Sequence, residues 1–272
     1  MKETPLVSII CTAYNHESYI KDALEGFVMQ KTNFPFEIIV SDDASSDMTA
    51  SIIDQYEKQY PELFNTFFHK ENQYSKGIPF FYNELIPNAQ GKYIAICEGD
   101  DYWTDPYKLQ KQVDFLEANE DYVLCFHNAF LLRMDTVKME LFRKFSKNIY
   151  RTKDVIMDKW FCPSASIVLR SEVIKTSFFG TKKDKIVNGD MLLIFNSSLH
   201  GKLYYINEIM SVYRCNVPGS LTETQNSLYL KYKNYLRYLL FINRKTNNKF
   251  VLYITIKVLY IFMAAIKNTL KK

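Results

Sequence analysis

Several signals are missing from this chain. Its 272 residues hold only five cysteines, Cys11, Cys97, Cys125, Cys162 and Cys215. They are odd in number, widely spaced and without a CxxC pair, which argues against a disulfide framework and a cysteine zinc site. Cys11, Cys97 and Cys125 lie in apolar runs, where a buried free thiol is expected. That suggests a reducing, cytoplasmic setting. No run reaches the roughly 18 apolar residues of a membrane-spanning helix. The opening MKETPLVSIICTAYN breaks its apolar stretch within about eight residues and does not read as a signal peptide. There is no internal repeat and no low-complexity tract. The net charge of +4 lacks the concentrated basic footprint of a nucleic-acid binder, so no nucleic-acid partner is expected.

Hydrophobic residues at 47% and charged residues at 24% describe a globular protein. The aromatic share of 15% suits either a core or a carbohydrate or nucleotide site, the core being the commoner use. Charge is uneven. From Thr224 to the end there is no Asp or Glu, only Lys and Arg. Such a tail suits the anionic surface of a membrane.

The first half alternates strand and helix patterns. Leu6–Cys11, Phe36–Val40, Leu63–His69, Tyr93–Cys97 and Tyr122–Leu132 read as strands, the first, second and fourth as short buried runs. Helical spacing appears at Ile20, Leu24, Phe27 and Val28, at Ile52, Ile53, Tyr56 and Tyr60, and at Leu109, Val113 and Leu116. Ile78–Ala89 reads as a helix confined by Pro79 and Pro87, and Asp105-Pro106 as a helix start. This alternation predicts an α/β fold with a mixed, mostly parallel sheet flanked by helices. Later, Ile167–Leu169 and Leu203–Tyr213 look like strands, Asp190 opens a helical run, and the pattern after Gly219 is helical to the end. Ligands of such sheets bind outside the carboxyl ends of the strands. The polar clusters after Cys11, Val40 and Cys97 all fall there.

Glu98-Gly99-Asp100-Asp101 sets three carboxylates at a strand end, where their repulsion calls for a cation or for solvent. Mn2+ or Mg2+ suits few carboxylates completed by phosphate oxygens. A helix-capping acidic loop is the alternative. Asp42-Asp43 can accept hydrogen bonds from a base or ribose, or simply make a turn with Ser45, Ser46 and Asp47. Thr12-Ala13-Tyr14-Asn15 offers close backbone approach and a stacking ring, or a plain turn.

The segments VSIICTAYNHESYIKDAL, FEIIVSDDASSDMT and GKYIAICEGDDYWTDPYKLQKQ together resemble the inverting family 2 glycosyltransferases of the GT-A (Rossmann-like) fold, over about residues 5–215. The resemblance implies a catalytic domain over residues 1–218, with a nucleotide-sugar half of about 1–132, an acceptor half of about 133–218, and a C-terminal helical extension over 219–272. It implies that Thr12, Tyr14, Glu17, Asp42 and Asp43 line the nucleotide-sugar pocket, with Asp42 at the uracil. Glu98-Gly99-Asp100 stands at the DxD metal motif, so Glu98 and Asp100 face the donor, while Asp100 and Asp101 are the favoured ligands of Mn2+ or Mg2+. The first Asp of that motif is Glu here, and Cys11 stands where the family usually has Pro. Asn188-Gly189-Asp190-Met191 resembles the segment of the catalytic base, with Gly189 in place of Glu, which leaves Asp190 as the base; capping of a helix is its other use. Asn72, Gly77 and Asn83 can touch the donor or serve loop and helix-start chemistry. Arg214 can reach a diphosphate or lie solvated.

The implied reaction is a hexosyl or N-acetylhexosaminyl transfer from a nucleotide sugar, by preference a UDP-sugar, to a glycan or lipid-linked acceptor in surface polysaccharide synthesis. Two rivals remain. A nucleotidyltransferase would usually carry a Gly-rich, Lys/Arg-bearing loop, which Thr12-Ala13-Tyr14-Asn15-His16 is not. A degenerate transferase fold could bind glycan or nucleotide without turnover. For the apolar segment Phe250–Ile266 two readings stay open: an amphipathic helix on the inner face of the cell membrane, or a helix packed on the catalytic domain or in a homodimer.

Overall fold

The structure is a computed structural model that describes residues 3–158, 161–177, 189–218, 220 and 228–269. Its strands are β1 (Val7–Ala13), β2 (Phe36–Asp42), β3 (Phe64–Phe68), β4 (Tyr93–Ile96), β5 (Tyr102–Trp103), β6 (Tyr122–Arg133), β7 (Lys138–Leu141), β8 (Ile149–Tyr150), β9 (Val168–Arg170) and β10 (Lys202–Cys215). They form one ten-stranded sheet of order β3-β2-β1-β4-β9-β6-β10-β5, with β7 beside β6 and β8 beside β10. Strands β3, β2, β1 and β4 are parallel neighbours. β9 runs antiparallel to both β4 and β6, and β10 is parallel to β6, so the six principal strands share one direction.

The helices are α1 (Ile20–Val28), α2 (Thr49–Gln59), the short α3 (Gln73–Lys76) and α4 (Ile86–Asn88), α5 (Lys108–Ala118), α6 (Thr152–Met157), α7 (Ser171–Lys175), α8 (Gly189–His200), α9 (Leu228–Lys245) and α10 (Val251–Thr269). Successive strand residues point to opposite faces, so Ile9 and Ile10, or Ile38 and Ile39, enter two separate cores. One core holds Ile9, Ile38 and the inward stripes of α1, α2 and α5. The other holds Ile10, Ile39 and the inner faces of α6, α7, α8, α9 and α10. β1 is buried along nearly its whole length, which explains its unbroken apolar run. Gly26 lets α1 close on β5: a Cβ there would stand 3.0 Å from the Trp103 amide nitrogen. All five cysteines are buried and free.

Three local expectations shift. The helix expected over 78–89 is a π-turn at Phe81–Leu85 followed by α4, since Pro87 removes a backbone donor. The helix expected at Pro106 starts at Lys108 instead. β10 carries register shifts between Ile206 and Ser211, which bend it across the sheet.

α5 turns Leu109, Val113 and Leu116 inward as their spacing predicts, but it also buries Lys108 and Gln112. Gln112 Nε2 donates to Ser166 O at 2.9 Å. Lys108 Nζ has no hydrogen-bond partner among the described residues and stands 4.0 Å from the centre of the Trp103 ring. Burial pushes its pKa down to about 7 from 10.5. Between those values the unfolded chain holds a proton that the folded chain has released, so stability rises with pH across that window. Lys108→Met keeps the contact with the ring and removes the desolvated ammonium. It is expected to stabilise the protein at pH 7 by about 1–3 kcal/mol. Thermal melts from pH 7 to about 10 should show a flatter pH dependence for the variant. A variant less stable than wild type at pH 7 would show that the attraction of the ammonium charge to the ring outweighs the cost of its burial.

Candidate active site

Because β1, β2 and β4 are adjacent and parallel, their carboxyl ends deliver three loops side by side. Asp43 N donates to Ala13 O at 2.9 Å and Gly99 N to Thr12 O at 3.0 Å, locking the loops together. Asn15 Oδ1 accepts from Ser46 N, and the Glu17 carboxylate accepts from Met48 N at 3.0 Å. Glu17 therefore clamps the first loop to the second. Thr12 is half-buried, and Tyr14 is exposed.

The two aspartates after β2 differ. Asp43 spends both oxygens on the Gln73 and Tyr74 amides, at 2.6 and 3.0 Å. Asn72 caps the same short helix α3, accepting from Ser75 N, and Gly77 closes it at φ 70°. Asp42 Oδ2 accepts from Ser45 N at 3.0 Å, but its buried Oδ1 has no partner among the described residues. A buried acceptor without a donor is rare and marks a place where a ligand can supply one. Ala44, next in line, holds a left-handed φ of 62°, at a cost of about 1 kcal/mol. Asn83 is exposed on the π-turn.

At the third loop, one carboxylate oxygen each of Glu98, Asp100 and Asp101 lies within 4.8 Å of the others. Gly99 permits the crowding: a Cβ there would stand 2.9 Å from Ile20 Cδ1 and 3.0 Å from His16 Nδ1. Asp101 is fully buried. Its Oδ1 accepts from Arg214 N at 2.8 Å, and its Oδ2 has no partner among the described residues. Burial, then the charges of Asp100 and Glu98, push its carboxyl well above the usual carboxylate range. Glu98 is pushed up to about 8 by the protein packed around it, then by Asp100 and Asp190. Glu98 keeps a face open to solvent, so screening softens its shift in a way that Asp101 does not enjoy. Three crowded carboxylates with an orphaned buried oxygen fit a divalent, oxygen-preferring cation.

Asp190 is half-buried in the first turn of α8, where exposed backbone amides favour negative charge. Its charge reaches Glu98 and the Tyr82 hydroxyl on the π-turn. Asn188, its neighbour in the motif, lies outside the described residues.

Arg214 does not lie solvated on the surface. It is buried beneath the acidic loop. Nη1 donates to Asp100 O at 2.8 Å, Nη2 pairs with Asp22, and the guanidinium lies 4.5 Å from the centre of the Tyr102 ring. Tyr213, also buried, was not expected at the site. Burial, then Asp101, Glu98, Asp100 and Asp190, raise its hydroxyl pKa, so it feels all four carboxylates. Its only signal in the sequence is its place at the end of β10.

This architecture is that of the GT-A transferases. It superposes on Staphylococcus aureus TarS residues 1–349 in complex with UDP-GlcNAc with a TM-score of 0.64, at 17% identity, over 86% of this chain and 66% of that one. A mannosyltransferase from Pyrobaculum calidifontis, in complex with GDP-Man and Mn2+, matches with a TM-score of 0.62 at 16% identity, over 89% of this chain and 65% of that one. The chain belongs to glycosyl transferase family 2, whose family model matches residues 8–178. An uncharacterized protein of Mycobacterium tuberculosis, Rv1520, is 34% identical over 213 residues, 78% of this chain and 60% of that protein. The chain thus spans less than two thirds of that relative's length.

Proposed function

We propose that this chain transfers a sugar from a nucleotide-sugar donor to a hydroxyl of a glycan or lipid-linked acceptor, with inversion at the anomeric carbon. The observation that carries this reading is the crowding of Glu98, Asp100 and Asp101 at the carboxyl end of β4, with the charge of Asp190 felt by Glu98 and with Asp101 Oδ2 buried without a partner among the described residues. Asp100 and Asp101 would hold Mn2+ or Mg2+, which when bound offsets the charge of a departing diphosphate. Asp42 Oδ1 would accept the N–H of a uracil ring, and Thr12 and Tyr14 would flank the nucleoside. Asp43, Asn72 and Glu17 then act through the loops that they brace. Asp190 would take the proton from the acceptor oxygen as it attacks, and the rest of the site positions the two substrates. Surface polysaccharide synthesis is the setting that the family resemblance suggests.

The test is release of nucleoside diphosphate from a panel of UDP- and GDP-linked hexoses and N-acetylhexosamines, with Mn2+, Mg2+ or chelator. We expect release from a UDP-sugar that needs the cation. Tight nucleotide-sugar binding with no release from any donor, in the presence of acceptor glycans, would instead support a binding protein on a transferase fold.

A further inference from the structure

Helix α10 is apolar on two sides, and the protein covers one of them. Residues 250–266 contain a single charge, Lys257. That lysine is only 4% exposed and turns inward. Its Nζ donates to Met157 O at 2.6 Å and lies 5.7 Å from the centre of the Tyr235 ring. Ile254 and Ile261 flank it on the same inner face, buried against the core. Turning the one charge inward leaves the outer face with Leu252, Ile256, Leu259, Tyr260 and Met263, each 44–66% exposed. Their spacing of four, seven, eight and eleven residues makes one continuous stripe. An apolar stripe of this length on a protein surface marks an interaction site.

The surrounding charge says which kind. From Thr224 to Lys272 the sequence has ten Lys and Arg and no Asp or Glu. Lys245 and Lys249 are exposed where α9 turns into α10. A second copy meeting this face about a two-fold axis would set cation against cation with no carboxylate in the segment to offset it. A bilayer rich in anionic headgroups accepts both the stripe and the lysines. Spanning is excluded for the described helices, since none is long and apolar enough to cross a membrane, and the inner face of α10 is already spent on the core.

We propose that the outer face of α10 lies in the interfacial layer of an anionic lipid bilayer, with the basic residues of the C-terminal segment on the headgroups. The proposal does not depend on the sugar-transfer reading, because none of these residues belongs to the candidate active site.

The experiment is flotation of the full chain with vesicles of phosphatidylcholine alone or mixed with phosphatidylglycerol, alongside light scattering of the free protein. The double variant L259E/M263E changes only exposed positions, and its fold is checked by circular dichroism. Wild type is expected to bind the anionic vesicles at least about tenfold better than the neutral ones, to be released by salt, and to lose about tenfold or more in the double variant. Failure of wild type to bind anionic vesicles would overturn the proposal, as would undiminished binding by a folded double variant. A wild-type dimer that the double variant dissociates would also overturn it and make the stripe a subunit contact.

Discussion

Asp190→Asn is expected to slow sugar transfer by about a thousandfold while leaving nucleotide-sugar affinity close to wild type. The substitution is nearly isosteric and keeps a polar side chain in the first turn of α8, so the helix start should survive. What it removes is a carboxylate able to take a proton. It also removes a negative charge that Glu98 feels, so donor binding should hold or tighten slightly rather than weaken. Turnover measured by nucleoside diphosphate release, set beside donor affinity measured by calorimetry, separates the two effects. A variant with normal turnover would take the base role from Asp190. One with normal turnover but poor donor affinity would move Asp190 to the donor pocket.

Asp190 stands out in the sequence only through its resemblance to a family segment, whereas the donor side of the site is legible from the strand pattern itself. The first half of the chain is legible because β1, β2 and β4 are buried on both faces and print continuous apolar runs. Each run stops at a polar cluster, and parallel neighbours must bring those stops together. The second half prints no such pattern. β8 is two residues long, β9 is three, and β10 bends through its register shifts. Periodicity has nothing to act on in pieces so short. The roles within the site divide the same way. Asp43 and Asn72 look like ligand contacts on paper, yet their oxygens satisfy the amides of α3. Arg214 binds Asp22, 192 residues earlier in the chain, and no local pattern reveals a partner that distant. Lys108 sits one residue before Leu109 on a helix whose stripe already looks complete, so its burial has no mark in the spacing.

Asp101→Asn is the substitution expected to act most strongly on the cation. It preserves the shape of the side chain and the acceptor for Arg214 N, but it puts an amide donor where the orphaned Oδ2 now stands. Cation-dependent donor binding should fall by about a hundredfold or more, since the lost ligand is a buried charge with no solvent to replace it. Glu98→Gln should cost less, because Glu98 keeps a face open to water. Stability supplies the second readout. Without cation, wild-type Asp101 is a buried carboxylate crowded by Asp100 and Glu98, so the neutral amide should raise the melting temperature by a few degrees, about 1–2 kcal/mol. With Mn2+ and nucleoside diphosphate present, wild type gains stability by mass action and the variant gains little. The order of the two melting curves should therefore reverse when cation and nucleotide are added. If the variant melts below wild type in chelator, the charge on Asp101 is already compensated within the protein. The cluster is then a structural brace, and the cation must be held elsewhere.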